Sequence, residues 1–128
     1  MSDLFTLPIV TVDNDLVSIF SEQQYPSHQR GGMILTEQIA TANLRLRKSA
    51  SGYSSDWHVA GDPTLIIIQQ GVLRIILRNG EQRDFVAGDA FIAKDYLPDG
   101  IEFDTDKHGH RAEVIGHKAL QATHIKLG

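Results

Sequence analysis

Residues 101–110 read Ile-Glu-Phe-Asp-Thr-Asp-Lys-His-Gly-His, with Glu102, Asp104, Asp106, His108 and His110 at alternate positions. Carboxylates and imidazoles are the oxygen and nitrogen donors of metal sites and the usual proton-transfer groups. In an extended chain alternate side chains project to one side, so these five would gather as a set of ligands. In an irregular chain they form a solvated acidic loop, the simpler reading. A long loop beside a pocket is also placed to serve as a lid. Trp57 is the only tryptophan. It either stacks on a ligand or anchors a core or dimer interface, and its large buried area favours the anchor. Tyr53 and Tyr96 lean the same way. His28, His117 and His124 read as surface or strand residues.

Several chemistries are excluded by residue type. Cysteine is absent, which removes thiolate nucleophiles, disulfides, Fe–S clusters and Cys-containing zinc sites. There is no Gly-rich phosphate loop, Gly-x-Ser-x-Gly, Ser-x-x-Lys or His-Glu-x-x-His. The 12 Lys and Arg stand against 16 Asp and Glu, a net charge of −4, which argues against a nucleic-acid-binding module. The longest apolar run is Leu65–Ile68, far short of the ~20 residues of a membrane helix. The N-terminus lacks a basic stretch followed by an apolar one, so no signal peptide is expected. A cytoplasmic protein without membrane or nucleic-acid partners is the expectation.

The elements that would position these residues are strands. With 128 residues, 41% apolar, one domain with a substantial core is expected. Leu44 and Leu46 alternate with Arg45 and Arg47 in residues 43–48, the pattern of a half-buried strand. Residues 64–69 form a short β-branched run, and 72–78 follow after Gly71. Asn79-Gly80 lies between strand-like runs at 73–77 and 82–86, a hairpin signal pointing to a type I′ turn. Further strands are expected at 90–93, 110–115 and 122–127. Residues 21–32 are polar and rich in turn formers, and read as a loop. Residues 13–24 are an even choice between a short helix and none. The expected layout is an N-terminal arm and loop over 1–32 and a β-barrel domain over 33–128.

Two spacings resemble the cupin family. Gly52 is followed after five residues by His58, then by Ala60 two positions on, by Thr64 after three more, and by Gly71 after a further six. This is the spacing of the first cupin motif, with Ala60 at its second histidine and Thr64 at its glutamate. The second motif is looser. Nine residues separate Gly88 from Pro98-Asp99-Gly100, nine more precede His110, and Val114 stands at the asparagine position. The resemblance spans roughly residues 40–116. It implies an all-β fold, a double-stranded β-helix or cupin barrel with at most one or two short helices, closed by two sheets and open at one end.

The resemblance also implies a pocket at that open end, lined by His58, Thr64, Ile66, Ile68, His110 and Ala112. His58 and His110 are the only candidate metal ligands the motifs retain. A catalytic metal normally takes about three protein ligands, so a divalent ion would be weakly held and a metal-free pocket is the leading reading. The expected function is binding of a small molecule in the barrel. The alternative is a metal-dependent enzyme of the dioxygenase or isomerase type. A homodimer is expected, with the apolar Leu4–Val12 segment able to cross to a partner.

Overall fold

The computed structural model describes residues 4–128; Met1, Ser2 and Asp3, the start of the expected arm, lie outside the described residues. Among the described residues ten strands follow one another: β1 Leu4–Val12, β2 Ser18–Arg30, β3 Met33–Thr36, β4 Thr41–Ser49, β5 Thr64–Gln70, β6 Val72–Ile76, β7 Gln82–Phe85, β8 Ala90–Ala93, β9 Arg111–Ile115 and β10 Leu120–Leu127. There is no helix among the described residues. Seven strands form one sheet in the order β3-β2-β1-β8-β5-β10-β4, and three form a second, β7-β6-β9. The expected all-β two-sheet barrel is the architecture found.

Alternation builds the core between the sheets. In β5 the buried residues are Thr64, Ile66 and Ile68; in β6 they are Leu73 and Ile75; in β9 they are Ala112 and Val114. All but Thr64 pack with Val10, Leu77, Phe85, Phe91 and Leu120 in one apolar cluster. The rings of Phe85 and Phe91 stack with centroids 4.1 Å apart, joining the small sheet to the large one. Such area-driven packing makes the dominant favourable contribution to folding.

Two local readings are corrected and one open choice is decided. Residues 21–32 are not a loop, because β2 runs through Arg30, paired with β1 along nine positions and then with β3. The ladder supplies the order that its polar composition hides. Residues 13–24 hold no helix. The Asp13 carboxylate accepts bonds from the Asp15 and Val17 amides at 2.8 and 3.0 Å, closing a turn with Leu16 at φ 65°. An Asp that bonds its own following backbone competes with helix formation. The β6–β7 hairpin exists, but its turn is not type I′. Asn79 has no positive φ, whereas Gly80 has φ 88°. Gly80 N donates to Leu77 O and Leu77 N to Glu81 O, the three-residue loop with a glycine bulge. No helix of the described residues is long and apolar enough to cross a membrane.

Candidate functional site

Residues 52–58 lie antiparallel along β9. Gly52 N donates to Val114 O at 3.0 Å, Ser55 N to Ala112 O at 2.9 Å, and His58 and His110 exchange both backbone bonds at 2.9 Å. Two residues paired in this way carry their side chains on one face. The His58 and His110 rings have centroids 4.5 Å apart, tilted by 54°. Gly109 permits the approach: it has φ 86°, and a Cβ there would stand 2.6–2.8 Å from the O, C and N of His58.

The residue that organises the site is Asp95, which the motifs do not contain. Its side chain is fully buried. Oδ2 accepts from Ser18 Oγ at 2.6 Å and from His110 Nδ1 at 2.7 Å, and Oδ1 accepts from the Ala60 amide at 2.9 Å. Burial pushes the Asp95 carboxyl up, but the hydrogen bond and charge of His110, with the bonds from Ser18 and Ala60, outweigh it and hold the group below its ordinary value. A signal was present in the chain. Asp95 continues the parity of Phe91 and Ala93, which face the core, so an inward carboxylate was legible there. Its partners were not, because Ser18 lies in the segment read as a helix or none.

Hydrogen bonding assigns the tautomers. His110 Nδ1 bears the proton that meets Asp95, and His58 Nδ1 lies 2.8 Å from the Asp56 carbonyl, which accepts only. Each imidazole therefore retains Nε2 as an acceptor. The Asp95 carboxylate fixes the orientation of the His110 ring, so Nε2 can accept a hydrogen bond from a ligand.

The donor set does not fit a tightly held metal. Ala60 contributes its backbone N–H to Asp95, and Thr64 Oγ1 donates to the Asp62 carbonyl at 3.0 Å. No three His, Asp or Glu side chains among the described residues form a group that could hold a metal ion. The 101–110 loop adds none. Glu102, Asp104 and Asp106 are exposed, and Asp104 Oδ1 caps the Asp106 amide at 2.8 Å. His108 is buried, but its Nδ1 accepts from the Asp104 amide at 2.9 Å. Arg78 pins this loop by donating to His108 O at 2.8 Å, with its guanidinium 3.8 Å above the Trp57 ring. Trp57 thus ties the first motif to the loop. Ile66, Ile68 and Ala112 belong to the packed apolar cluster.

Thr64 faces a different set of side chains. Ladder partners share a face, and one row across the large sheet runs Asn43, Lys126, Thr64, Ala93 and Val10. The next runs Arg45, His124, Ile66 and Phe91, and the third Arg47, Ala122 and Ile68. Because Ile66, Ile68, Phe91 and Val10 are core residues, the arginines of β4 lie on the inner face. A leucine–arginine alternation ordinarily buries leucine; here Leu44 and Leu46 are 57% and 79% exposed on the outer face. Asn43, Arg45, Thr64, His124 and Lys126 line a cavity of about 390 Å³. Sequence reasoning missed Arg45, His124 and Lys126 because the phase of an edge strand is set by its partner, not by its own pattern.

Two facing sheets enclose one core, and the motif histidines, remote in sequence, meet at one end beside an inward carboxylate. This is the two-sheet barrel that the cupin resemblance implies. Among solved structures, the chain is similar to a cupin-2 domain protein from Shewanella frigidimarina, at 19% identity over 66% of this chain and 69% of that one, with a TM-score of 0.45. It is similar to a cupin superfamily protein from Desulfitobacterium hafniense, at 21% identity over 78% and 82%, TM-score 0.45. A conserved Streptococcus pyogenes protein of unknown function is similar at 15% identity over 72% and 68%, TM-score 0.48. No protein-family model and no curated protein sequence matches the chain.

Proposed function

We propose that this cupin-type chain binds a small molecule at the open end of its barrel without depending on a tightly held metal. The observation that carries this reading is the buried Ser18–Asp95–His110 set. Three polar residues, each at most 4% exposed, are hydrogen-bonded to one another through Asp95 beside an apolar core, and His110 keeps one acceptor nitrogen. Buried polar groups without partners cost about 1–3 kcal/mol each, so a satisfied set with one free acceptor suits a ligand-orienting group. An apolar wall with few fixed polar groups is the common form of a small-molecule site. The enzyme alternative needs a third metal donor, which Ala60 and Thr64 do not supply.

The test is a ligand screen by thermal unfolding on the parent and on His58→Ala, an exposed position. A ligand of this site is expected to raise the parent midpoint, about 2.7 kcal/mol of stabilisation at a hundredfold excess over Kd, and to lose much of that effect in the variant. Elemental analysis of purified protein is expected to give sub-stoichiometric metal. Stoichiometric metal that survives dialysis would favour the enzyme reading.

The same reading includes a homodimer. Leu44, Ile125 and Leu65 are ladder neighbours on the outer face, with Leu46 beside them, an apolar strip of the kind that marks association surfaces. Light scattering is expected to give twice the 14.2 kDa chain mass, and Leu44→Lys/Leu46→Lys to return it to one chain. A parent that scatters as a single chain at micromolar concentration overturns the dimer.

A further inference from the structure

We infer that the β4–β10 side of the barrel is an oxyanion site, at which a small molecule carrying a carboxylate or phosphate docks against Arg45, Lys126 and His124. The inference rests on the reading of this chain as a small-molecule binder and names a ligand class and a place for it apart from His58 and His110. The cavity wall has two cations, an imidazole, one amide and one hydroxyl, and no carboxylate. That is unusual in a chain with an excess of acids. Arg47, next on the same face of β4, adds a third cation; it bonds Ser49 Oγ at 2.9 Å and lies 3.5 Å from His124 Nε2. None of the three cations has an acidic partner among the ion pairs of the described residues. Where cations gather on a half-enclosed surface without counter-charges, their mutual repulsion is relieved by an anion. Guanidinium and ammonium donors bind anionic oxygens in charge-assisted hydrogen bonds roughly twice as strong as neutral ones. Asn43 and Thr64 complete the set with neutral donors.

The electrostatics of His124 agree. The groups facing it are Arg45 and Arg47 of β4, Lys126 of its own strand, and Thr64 and Ile66 of β5. Burial, then the charges of Arg47, Lys126 and Arg45, push its imidazole below the ordinary value. A bound anion offsets those charges, so His124 takes up a proton on binding. Affinity therefore rises as pH falls toward the ordinary histidine range near 6.5.

Titration calorimetry with inorganic phosphate, with malonate and with neutral glucose decides the matter, run at low and high salt and in two buffers of different ionisation enthalpy. Saturable binding of phosphate or malonate is expected, with proton uptake near neutral pH and weakening by salt. The tighter of the two anions assigns the source of the oxyanion. Arg45→Gln/Lys126→Gln is expected to weaken binding about tenfold or more, and His124→Gln to abolish the proton uptake. Lys118→Gln/Arg30→Gln, at exposed positions outside the cavity, removes the same charge and is expected to leave affinity unchanged. Equal weakening in that control, or affinity indifferent to Arg45→Gln/Lys126→Gln, overturns the site. If neutral compounds stabilise the protein and neither anion does, the oxyanion inference fails and the small-molecule reading stands. If no compound of either kind binds, both fail.

Discussion

Asp95→Ala is expected to destabilise the protein by about 3–5 kcal/mol, because each buried donor left without an acceptor costs about 1–3 kcal/mol, and to lower the thermal midpoint by roughly 10–20 °C. The variant strands three donors at once: Ser18 Oγ, His110 Nδ1–H and the Ala60 amide. It also frees His110 to change tautomer, so ligand binding should fall with stability. Asp95→Asn separates charge from shape. Its carbonyl can still accept from one donor, but its NH₂ would oppose another, so a smaller loss is expected. The pH dependence follows from the lowered Asp95 value. A depressed carboxyl contributes stability that is fully present above its unfolded value, near 3.9, and that is lost as pH falls through the folded value. Urea midpoints below about pH 4 should therefore drop more steeply for the parent than for Asp95→Asn. Parallel acid limbs in the two proteins, or a loss under about 1 kcal/mol in Asp95→Ala, would show that the carboxylate does not hold this network.

The second large effect is expected at Gly109. Gly109→Ala pairs a left-handed backbone, φ 86°, with a Cβ 2.6–2.8 Å from three backbone atoms of His58. The left-handed conformation costs a non-glycine residue about 1–2 kcal/mol, and forcing apart a packed contact about 1–3 kcal/mol more. Neither backbone can yield without breaking the paired His58–His110 bonds. A total of about 2–5 kcal/mol is therefore expected, with His58 displaced from His110. Gly116→Ala serves as the control. That residue has φ 79° and nothing within 4 Å of its would-be Cβ, so it should carry the backbone cost alone. Equal urea midpoints for the two variants would mean that the close approach contributes nothing.

The parts of the fold legible in the chain are those whose local pattern and tertiary environment agree. β5, β6, β8 and β9 were expected within about two residues of their observed bounds, because Ile66, Ile68, Leu73, Ile75, Phe91 and Val114 are apolar at the inward positions. Gly52 to Gly71 have the motif spacing, and residues 52–58 of that stretch run back along β9. The pairing of His58 with His110 followed from that resemblance.

What the chain does not encode locally is which neighbour each edge meets. β2 is polar and reads as a loop, yet β1 and β3 satisfy its backbone, and a ladder orders a strand whatever its side-chain pattern. The Leu44–Arg47 alternation specifies two faces but not which is inner. A shift of one residue in pairing exchanges them, and the register with β10, Arg45 opposite His124, chose arginine. Asp95, Ser18 and the Ala60 amide are distant in sequence and meet only because the barrel closes. The amino-acid sequence by itself thus determined the strands, the apolar core and the two histidines. Tertiary pairing alone decided that a buried carboxylate orients His110 and that a cationic wall faces the cavity, because register and closure are properties of strand pairs, not of single strands.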